Sequence, residues 1–335
     1  MKAYILKKFG PAESLKISEI EKPEPAPGQV RVKIKTIGLN YAEILSRKGI
    51  YSWAPKRPYT PGMECFGTID AVGKNVKRKI GEKVIVGGQF GSYAEYIVAD
   101  EYLALKAIPG YSDSEQAAVL VNFLAAYVGL FEMARIRPSD SVLVTSAAGG
   151  VGSAAVKLAV ALGCKTAGAS GGKEKIVRSL GANLAVDYRE RDWQERLGKK
   201  FPTGFDVVLE MVGGKIYKGC VDMLRAPGKI VIIGISSIDF SKMNPLTWPK
   251  ALKALPRFNL QDMIQRSYGV SSVHLGHMMH RKEKLLDMWA DLSKFIRKHK
   301  LKPLVGKEFS FEELPEAHKY LESRKSHGKV VIKVS

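Results

Sequence analysis

The sequence predicts an α/β protein: a doubly wound parallel sheet, preceded by mostly-β chain and followed by helices and a closing strand. Three observations carry this expectation. From Asp140 onward, short apolar, β-branched runs alternate with helical patterns, the signature of successive βαβ units. A glycine cluster, Gly149, Gly150 and Gly152, falls where the first of these strands gives way to a helix. Up to Ile108 the pattern is instead alternating strands punctuated by Gly and Pro, as in a compact sheet domain with turns.

Taken in order, "QVRVKIKTIGLN", "GTIDAVGKNV" and "GEKVIVGGQFGSYAEYIVAD" supply the early strands. Ser112 to Arg135 reads as helical, and its longest apolar run, Ala117 to Phe131, reads as buried helix. That run falls short of the roughly 18 residues needed to span a bilayer and contains Asn122. "DSVLVTSA" is then a strand, "AAVKLAVALG" a helix, "KTAGAS" a strand, "KEKIVRSLG" a helix and "ANLAVDY" a strand. "FDVVLEMVG" follows as a strand, "KGCVDMLRAPG" as a helix and "KIVIIGISS" as a strand. After Ser267 the character changes. "KEKLLDMWADLSKFIRKH" is an amphipathic helix, and "ELPEAHKYLESRKSHGKVVIKVS" a helix and a final strand. The expected boundaries are 1–122, 123–266 and 267–335.

The 335 residues are 45% hydrophobic and 26% charged, which suits a globular chain with a real core. Lys+Arg outnumber Asp+Glu by 53 to 33, a formal net charge of +20. That excess favours anionic partners such as nucleotide phosphates, RNA or acidic lipid; the plainer reading is a lysine-rich solvated surface. Cys65, Cys164 and Cys220 lie far apart with no CxxC, which argues against a disulfide framework and a structural zinc knuckle. The opening "MKAYILKKFG" alternates and lacks an apolar core followed by a small-residue cleavage site, so a cytoplasmic location is expected.

A glycine cluster alone can be a simple turn. Here it follows a buried strand and opens a helix, the placement of a dinucleotide fingerprint. Without side chains at Gly149 and Gly150, backbone N–H groups can approach a pyrophosphate, and Gly152 allows close helix–strand packing. Ala147 replaces the first glycine of the usual pattern. NAD sites carry an Asp or Glu roughly 20 residues after the glycines, on the ribose 2′-OH. This chain has "AGASGGKEK" there: no acid, but Ser170 to donate to a 2′-phosphate and Lys173 to pair with it. NADPH is therefore expected over NADH; the plain alternative is that Lys173 and Lys175 form a solvated helix face.

"NYAEILSRKGIY", "PYTPGMECFGTIDAVG", "GSYAEYIV", "AAGGVGSAAVKLA", "EMVGG" and "LESRKSHGKVVI" occur in the order and spacing of one family. The chain resembles the quinone oxidoreductase (zeta-crystallin-like) branch of the medium-chain dehydrogenase/reductase superfamily over nearly its whole length, most loosely from Asp239 to Ser272. The resemblance implies a Rossmann domain and a GroES-like catalytic domain drawn from both chain ends. It implies homodimers or homotetramers pairing through the edge of the Rossmann sheet near "KIVIIGISS". It also sharpens an absence. Zinc alcohol dehydrogenases of this superfamily have Cys where this chain has Asn40 and His where it has Met63. Their third ligand falls near Val121–Asn122, where neither Cys nor carboxylate stands. Asn and Met beside a lone Glu64 do not hold Zn²⁺. His277 and His280 form an i, i+3 pair without an acidic or Cys partner nearby, so no metal is expected there.

Without zinc to stabilise an alkoxide, quinones and α,β-unsaturated carbonyls become the expected acceptors, because conjugation spreads the arriving charge. By resemblance, Asn40 and Tyr41 line the nicotinamide and substrate pocket, and Tyr51 orients a carbonyl or relays a proton. Gly150 and Val151 face the pyrophosphate, while Ser170, Lys173 and Tyr188 hold the 2′-phosphate. Gly234, Ile235 and Ser236 lie under the nicotinamide, and Arg324 reaches cofactor phosphate. Glu64 reads as structural. Glu43 stands where relatives usually have Asp, and its added methylene argues against a direct polar role. A 2-enoyl thioester reductase on the same fold is the enzymatic alternative. An RNA-binding protein is the alternative of another class; zeta-crystallin-like relatives bind RNA, but no RNP-type motif or clustered aromatics appear.

Overall fold

The structure is a computed structural model that describes residues 1–236, 249, 252 and 255–334. Part of the stretch 239–272, where the resemblance is loosest, lies outside the described residues. The described residues divide into two compact units: 1–121 with 275–334, and 122–236 with 255–274.

The first unit is mostly β. Its strands are β1 (Lys2–Leu6), β2 (Leu15–Glu19), β3 (Gln29–Leu39), β4 (Glu64–Val72), β5 (Lys83–Gly87), β6 (Tyr96–Asp100) and β7 (Ala104–Lys106). The C-terminal stretch adds β14 (Val305–Ser310) and β15 (Lys329–Lys333). β1 pairs with β2, and the larger sheet runs β14-β15-β3-β4-β5-β7 with β6 also on β3. Alternation explains β3: Val32 and Ile34 are buried while Lys33 and Lys35 face water. Val32 and Ile34 pack with Tyr4, Tyr93, Phe311 and Ile332 into one apolar core. β15 departs from alternation, because Val330, Val331 and Ile332 are all buried. β15 lies antiparallel to β3, with Val330 opposite Leu39, and β3 lies antiparallel to β4, with Ile37 opposite Cys65. That register draws three residues at the strand ends, Asn40, Glu64 and Lys329, to one place.

The second unit is a fully parallel six-stranded sheet. Its strands are β8 (Ser141–Thr145), β9 (Lys165–Ser170), β10 (Leu184–Asp187), β11 (Phe205–Glu210), β12 (Leu224–Ile232) and β13 (Tyr268–Ser272). Their order, β10-β9-β8-β11-β12-β13, is that of a doubly wound Rossmann sheet. Such sheets bind ligands outside the carboxyl ends of the strands where the order reverses, here between β8 and β11.

Several expectations need correction. "KGCVDMLRAPG" is helix only as far as Asp222 (helix Gly214–Asp222); Leu224 already pairs with Phe205 of β11. The sheet edge expected near "KIVIIGISS" is not an edge, since β13 pairs along the outer side of β12 from Gly228 to Ile232. The expected boundary at 267 falls just before β13, and the second unit continues to His274. The apolar run from Ala117 is divided between the helices Asp113–Ala117 and Leu120–Tyr127 and a π-helical turn, Val128–Met133.

Candidate functional site

In the second unit the glycine loop follows β8 directly. The helix Gly150–Leu162 has Gly149 as its N-cap, extended and without any side-chain cap. The first-turn N–H groups of this helix therefore keep their capacity for an anion. Gly152 packs against the loop so closely that a Cβ there would stand 2.2 Å from the Ser146 carbonyl. At Gly150 a Cβ would stand 2.7 Å from Asn122 Oδ1, and Val151 beside it is half-buried. Ala147, in place of the first glycine, is fully buried and donates its N–H to Ala169 of β9 at 3.1 Å.

The neighbouring strand ends complete the edge. Thr145 Oγ1 accepts from Met211 N at 2.9 Å and lies 3.4 Å from Glu210 Oε1. Glu210 also accepts from Val212 N and Gly213 N, at 2.8 and 2.9 Å, and burial pushes its carboxyl up to about 6. Gly234, Ile235 and Ser236 follow β12 half-buried, with Ser236 N donating to Met211 O at 3.1 Å.

At the end of β9, Ser170 is 2% exposed and its Oγ has no hydrogen-bond partner. Lys173 is half-buried nearby, and desolvation, aided by Arg189, lowers its ammonium from the ordinary value. Tyr188 N donates to Ser170 O at 3.2 Å. The structure thus gathers Ser170, Lys173 and Tyr188, and adds two residues the sequence reading missed. Asp187 lies directly across the parallel register from Ser170. Arg189 grips it with Nε at 3.0 Å and Nη2 at 2.6 Å. The absence of an acid after β9 is therefore only half the account; one arrives from the next strand.

In the first unit Asn40 precedes the helix Tyr41–Arg47, whose first residue Tyr41 is half-buried. The Asn40 amide is turned inward. Its Nδ2 donates to Gly38 O at 3.1 Å and Glu64 Oε1 at 3.2 Å, and its Oδ1 accepts from Lys329 Nζ at 2.6 Å. The amide is thus held on both sides, by Gly38 and Glu64 through Nδ2 and by Lys329 through Oδ1. Lys329 also pairs with Glu64 Oε1; the two side chains are 2% and 0% exposed. Gly38 leaves room for this, since a Cβ there would lie 2.7 Å from Lys329 Cε.

Glu43 overturns its expectation as well. Its carboxylate accepts from Asn40 N at 2.8 Å, Met63 N at 2.7 Å and Tyr93 Oη at 2.6 Å. Burial pushes this carboxyl above its ordinary value. Tyr93 Oη lies 3.0 Å from His318 Nε2, and burial holds that imidazole well below its ordinary value, hence neutral. Tyr51 Oη donates to Gln89 Oε1 at 3.4 Å, and burial, with Glu43, pushes the phenol up to about 12. Arg324 is exposed in a left-handed turn at φ 60°.

These residues do not fit zinc. An ammonium already lies between Asn40 and Glu64, the third potential ligand is the thioether of Met63, and the buried Cys65 thiol is pushed up to about 12. His277 and His280 flank Trp53, with ring centroids at 4.6 and 6.0 Å. Among the described residues one trio of potential ligands gathers, Glu174, Asp187 and Glu190, of which Asp187 and Glu190 already pair with arginines. Also among the described residues, no helix is long and apolar enough to cross a membrane.

Comparisons with known proteins agree with this architecture. Residues 26–110 match the alcohol dehydrogenase GroES-like domain, and residues 180–332 match the family described as zinc-binding dehydrogenase. The latter segment contains neither Asn40, Met63 nor Glu64. Human quinone oxidoreductase is 31% identical over 340 residues, 99% of this chain and 97% of that protein. The synaptic vesicle membrane protein VAT-1 homolog of Danio rerio is 32% identical over 342 residues, 99% and 69% of the two chains. Among solved structures, the quinone oxidoreductase from Thermus thermophilus, also solved with NADPH, superposes with a TM-score of 0.82 at 28% identity, covering 99% of this chain and 100% of that one. CurK enoyl reductase gives a TM-score of 0.87 at 25% identity over 100% and 99%. The chain belongs to the medium-chain dehydrogenase/reductase superfamily of oxidoreductases, in its zinc-free, quinone oxidoreductase-like branch.

Proposed function

We propose that the protein is an NADPH-dependent, zinc-free reductase that passes hydride to quinones or other α,β-unsaturated carbonyls. The observation that carries the cofactor assignment is the Ser170 hydroxyl, buried and unpartnered at the end of β9. An unsatisfied buried hydroxyl costs roughly 1–3 kcal/mol, and a 2′-phosphate oxygen would satisfy it. Lys173 and Tyr188 would hold the same phosphate, and the N–H groups of Gly150 and Val151 the pyrophosphate. Gly149 and Gly152 keep the loop close, Gly234, Ile235 and Ser236 support the nicotinamide, and Arg324 adds a phosphate contact. When bound, the cofactor supplies the hydride.

The chain's own groups do the rest. Tyr51 keeps its proton at neutral pH and donates a hydrogen bond to the acceptor oxygen as charge develops there. Asn40, fixed by Lys329 and Glu64, holds the start of the helix that carries Tyr41. Conjugation in the acceptor replaces the Lewis acid that Asn40 and Met63 cannot bind. The likeness to quinone oxidoreductases supports this reading, with a homodimer or homotetramer in the cytoplasm as its natural setting. The likeness to an enoyl reductase supports a second acceptor, a 2-enoyl thioester, at the same site. The test is NADPH oxidation across quinones, enones, enoyl-CoAs and saturated aldehydes. Turnover is expected with the conjugated acceptors, and activity confined to saturated aldehydes would overturn the proposal.

A further inference from the structure

The Asp187–Arg189 pair lies against the loop that follows β9. Asp187 is 6% exposed, whereas the Arg189 side chain is 65% exposed. Asp187 Oδ1 accepts from Arg189 N at 2.9 Å. The Arg189 guanidinium presses on the loop itself. A Cβ at Gly172, which has φ +68°, would lie 2.3 Å from Arg189 Nη2, and one at Gly171 would lie 3.6 Å from Nε. With Nε and Nη2 engaged on Asp187, Nη1 makes no hydrogen bond among the described residues. The end of β9 with its loop and the end of β10 therefore bring together an unpartnered Ser170 hydroxyl, the Lys173 ammonium, a guanidinium with spare N–H groups and a carboxylate masked by that guanidinium.

A carboxylate at this edge suits a ribose 2′-OH and repels a 2′-phosphate. A guanidinium suits the phosphate and forms charge-assisted bonds to it. We propose that Arg189 determines cofactor choice, by masking Asp187 and by offering its Nη1 N–H groups to the 2′-phosphate of NADPH. This rests on the NADPH reading above and adds the acid that reading lacked. Loss of Arg189 removes one phosphate contact and uncovers a carboxylate beside Ser170, so two effects fall on NADPH together. NADH loses nothing and gains an acceptor for its 2′-OH.

The test is direct titration of the purified full chain with NADPH and with NADH, followed by fluorescence, for wild type, R189Q and D187N/R189Q. Wild type should prefer NADPH. Because a hydrogen bond to a charged group is worth roughly tenfold or more in affinity, R189Q should bind NADPH at least about tenfold more weakly, with NADH unchanged or tighter. Neutralising Asp187 as well should return several-fold of the lost NADPH affinity and remove any gain for NADH. The exposed position of Arg189 makes R189Q a mild change to the fold, which a melting curve checks. If wild type prefers NADPH and R189Q keeps the same preference, the role of Arg189 is overturned while the NADPH reading stands. If the double variant recovers nothing, masking of Asp187 is overturned. If wild type shows no preference for NADPH, both fall.

Discussion

Replacing Lys329 by methionine removes one charge from a place that water does not reach. The Lys329 and Glu64 side chains are 2% and 0% exposed, and the ammonium holds both Glu64 Oε1 and Asn40 Oδ1. In the variant, Glu64 would retain the Asn40 amide at 3.2 Å and Val121 N at 3.0 Å, but no countercharge. Breaking a buried pair by removing one partner costs about 3–5 kcal/mol, because an uncompensated charge is left behind. For a domain of roughly 150–250 residues, each kcal/mol moves the melting midpoint by about 2–4 °C, so K329M should melt on the order of 6–20 °C lower. The double variant E64Q/K329M removes both charges and should recover most of the loss. Thermal and urea unfolding of wild type, K329M, E64Q and the double variant form a complete cycle. A K329M protein within about 1 kcal/mol of wild type would refute the reasoning. So would a double variant no more stable than the single one, since the cost would then lie in packing rather than in the stranded carboxylate.

Lys173→Ala should weaken NADPH by roughly 10–100-fold and leave NADH nearly unchanged, the loss expected for a charge-assisted bond to phosphate. Equal losses for both cofactors, or none, would reduce Lys173 to a surface lysine. Glu210 titrates at about 6 in the folded protein against an ordinary 4.5, so the folded state holds a proton that the unfolded chain has released between those pH values. Stability should therefore fall as pH rises through that window, by about 2 kcal/mol at most. Urea unfolding of Glu210→Gln across the same window should show a flatter profile; a slope identical to wild type would contradict the shift.

The parallel sheet and its glycine loop were legible because periodicity and glycine placement are local signals. Thr145, Gly149, Gly150 and Gly152 sit on consecutive pieces of chain, and nothing distant is needed to read them. β13 was not legible: "YGVSS" is only half-buried, so it shows neither clean alternation nor a continuous apolar run. The helix over "KGCVDMLRAPG" ran too far because its apolar spacing suits a helix, while pairing of Leu224 with Phe205 takes the backbone into the sheet. Lys329 was the largest omission. A lysine heading a short strand reads as surface; its burial depends on Glu64 and Asn40, 265 and 289 positions away, and on the gap at Gly38. Asp187 was missed for a related reason, since only the parallel register of β9 and β10 sets it beside Ser170. Glu43 was misjudged because an extra methylene was weighed without knowing that Met63 N and Tyr93 Oη converge on its carboxylate.

Hydride transfer from NADPH to a conjugated acceptor without zinc is tested by isotope transfer in metal-free protein. The purified chain is treated with a chelator, its zinc content is measured by elemental analysis, and it is incubated with an enone and NADPH deuterated at the transferable position of the nicotinamide. The expected result is less than stoichiometric zinc, deuterium on carbon in the reduced product, and a rate unchanged by chelation. Zinc at one ion per chain, or label transfer that appears only when zinc is restored, would contradict it.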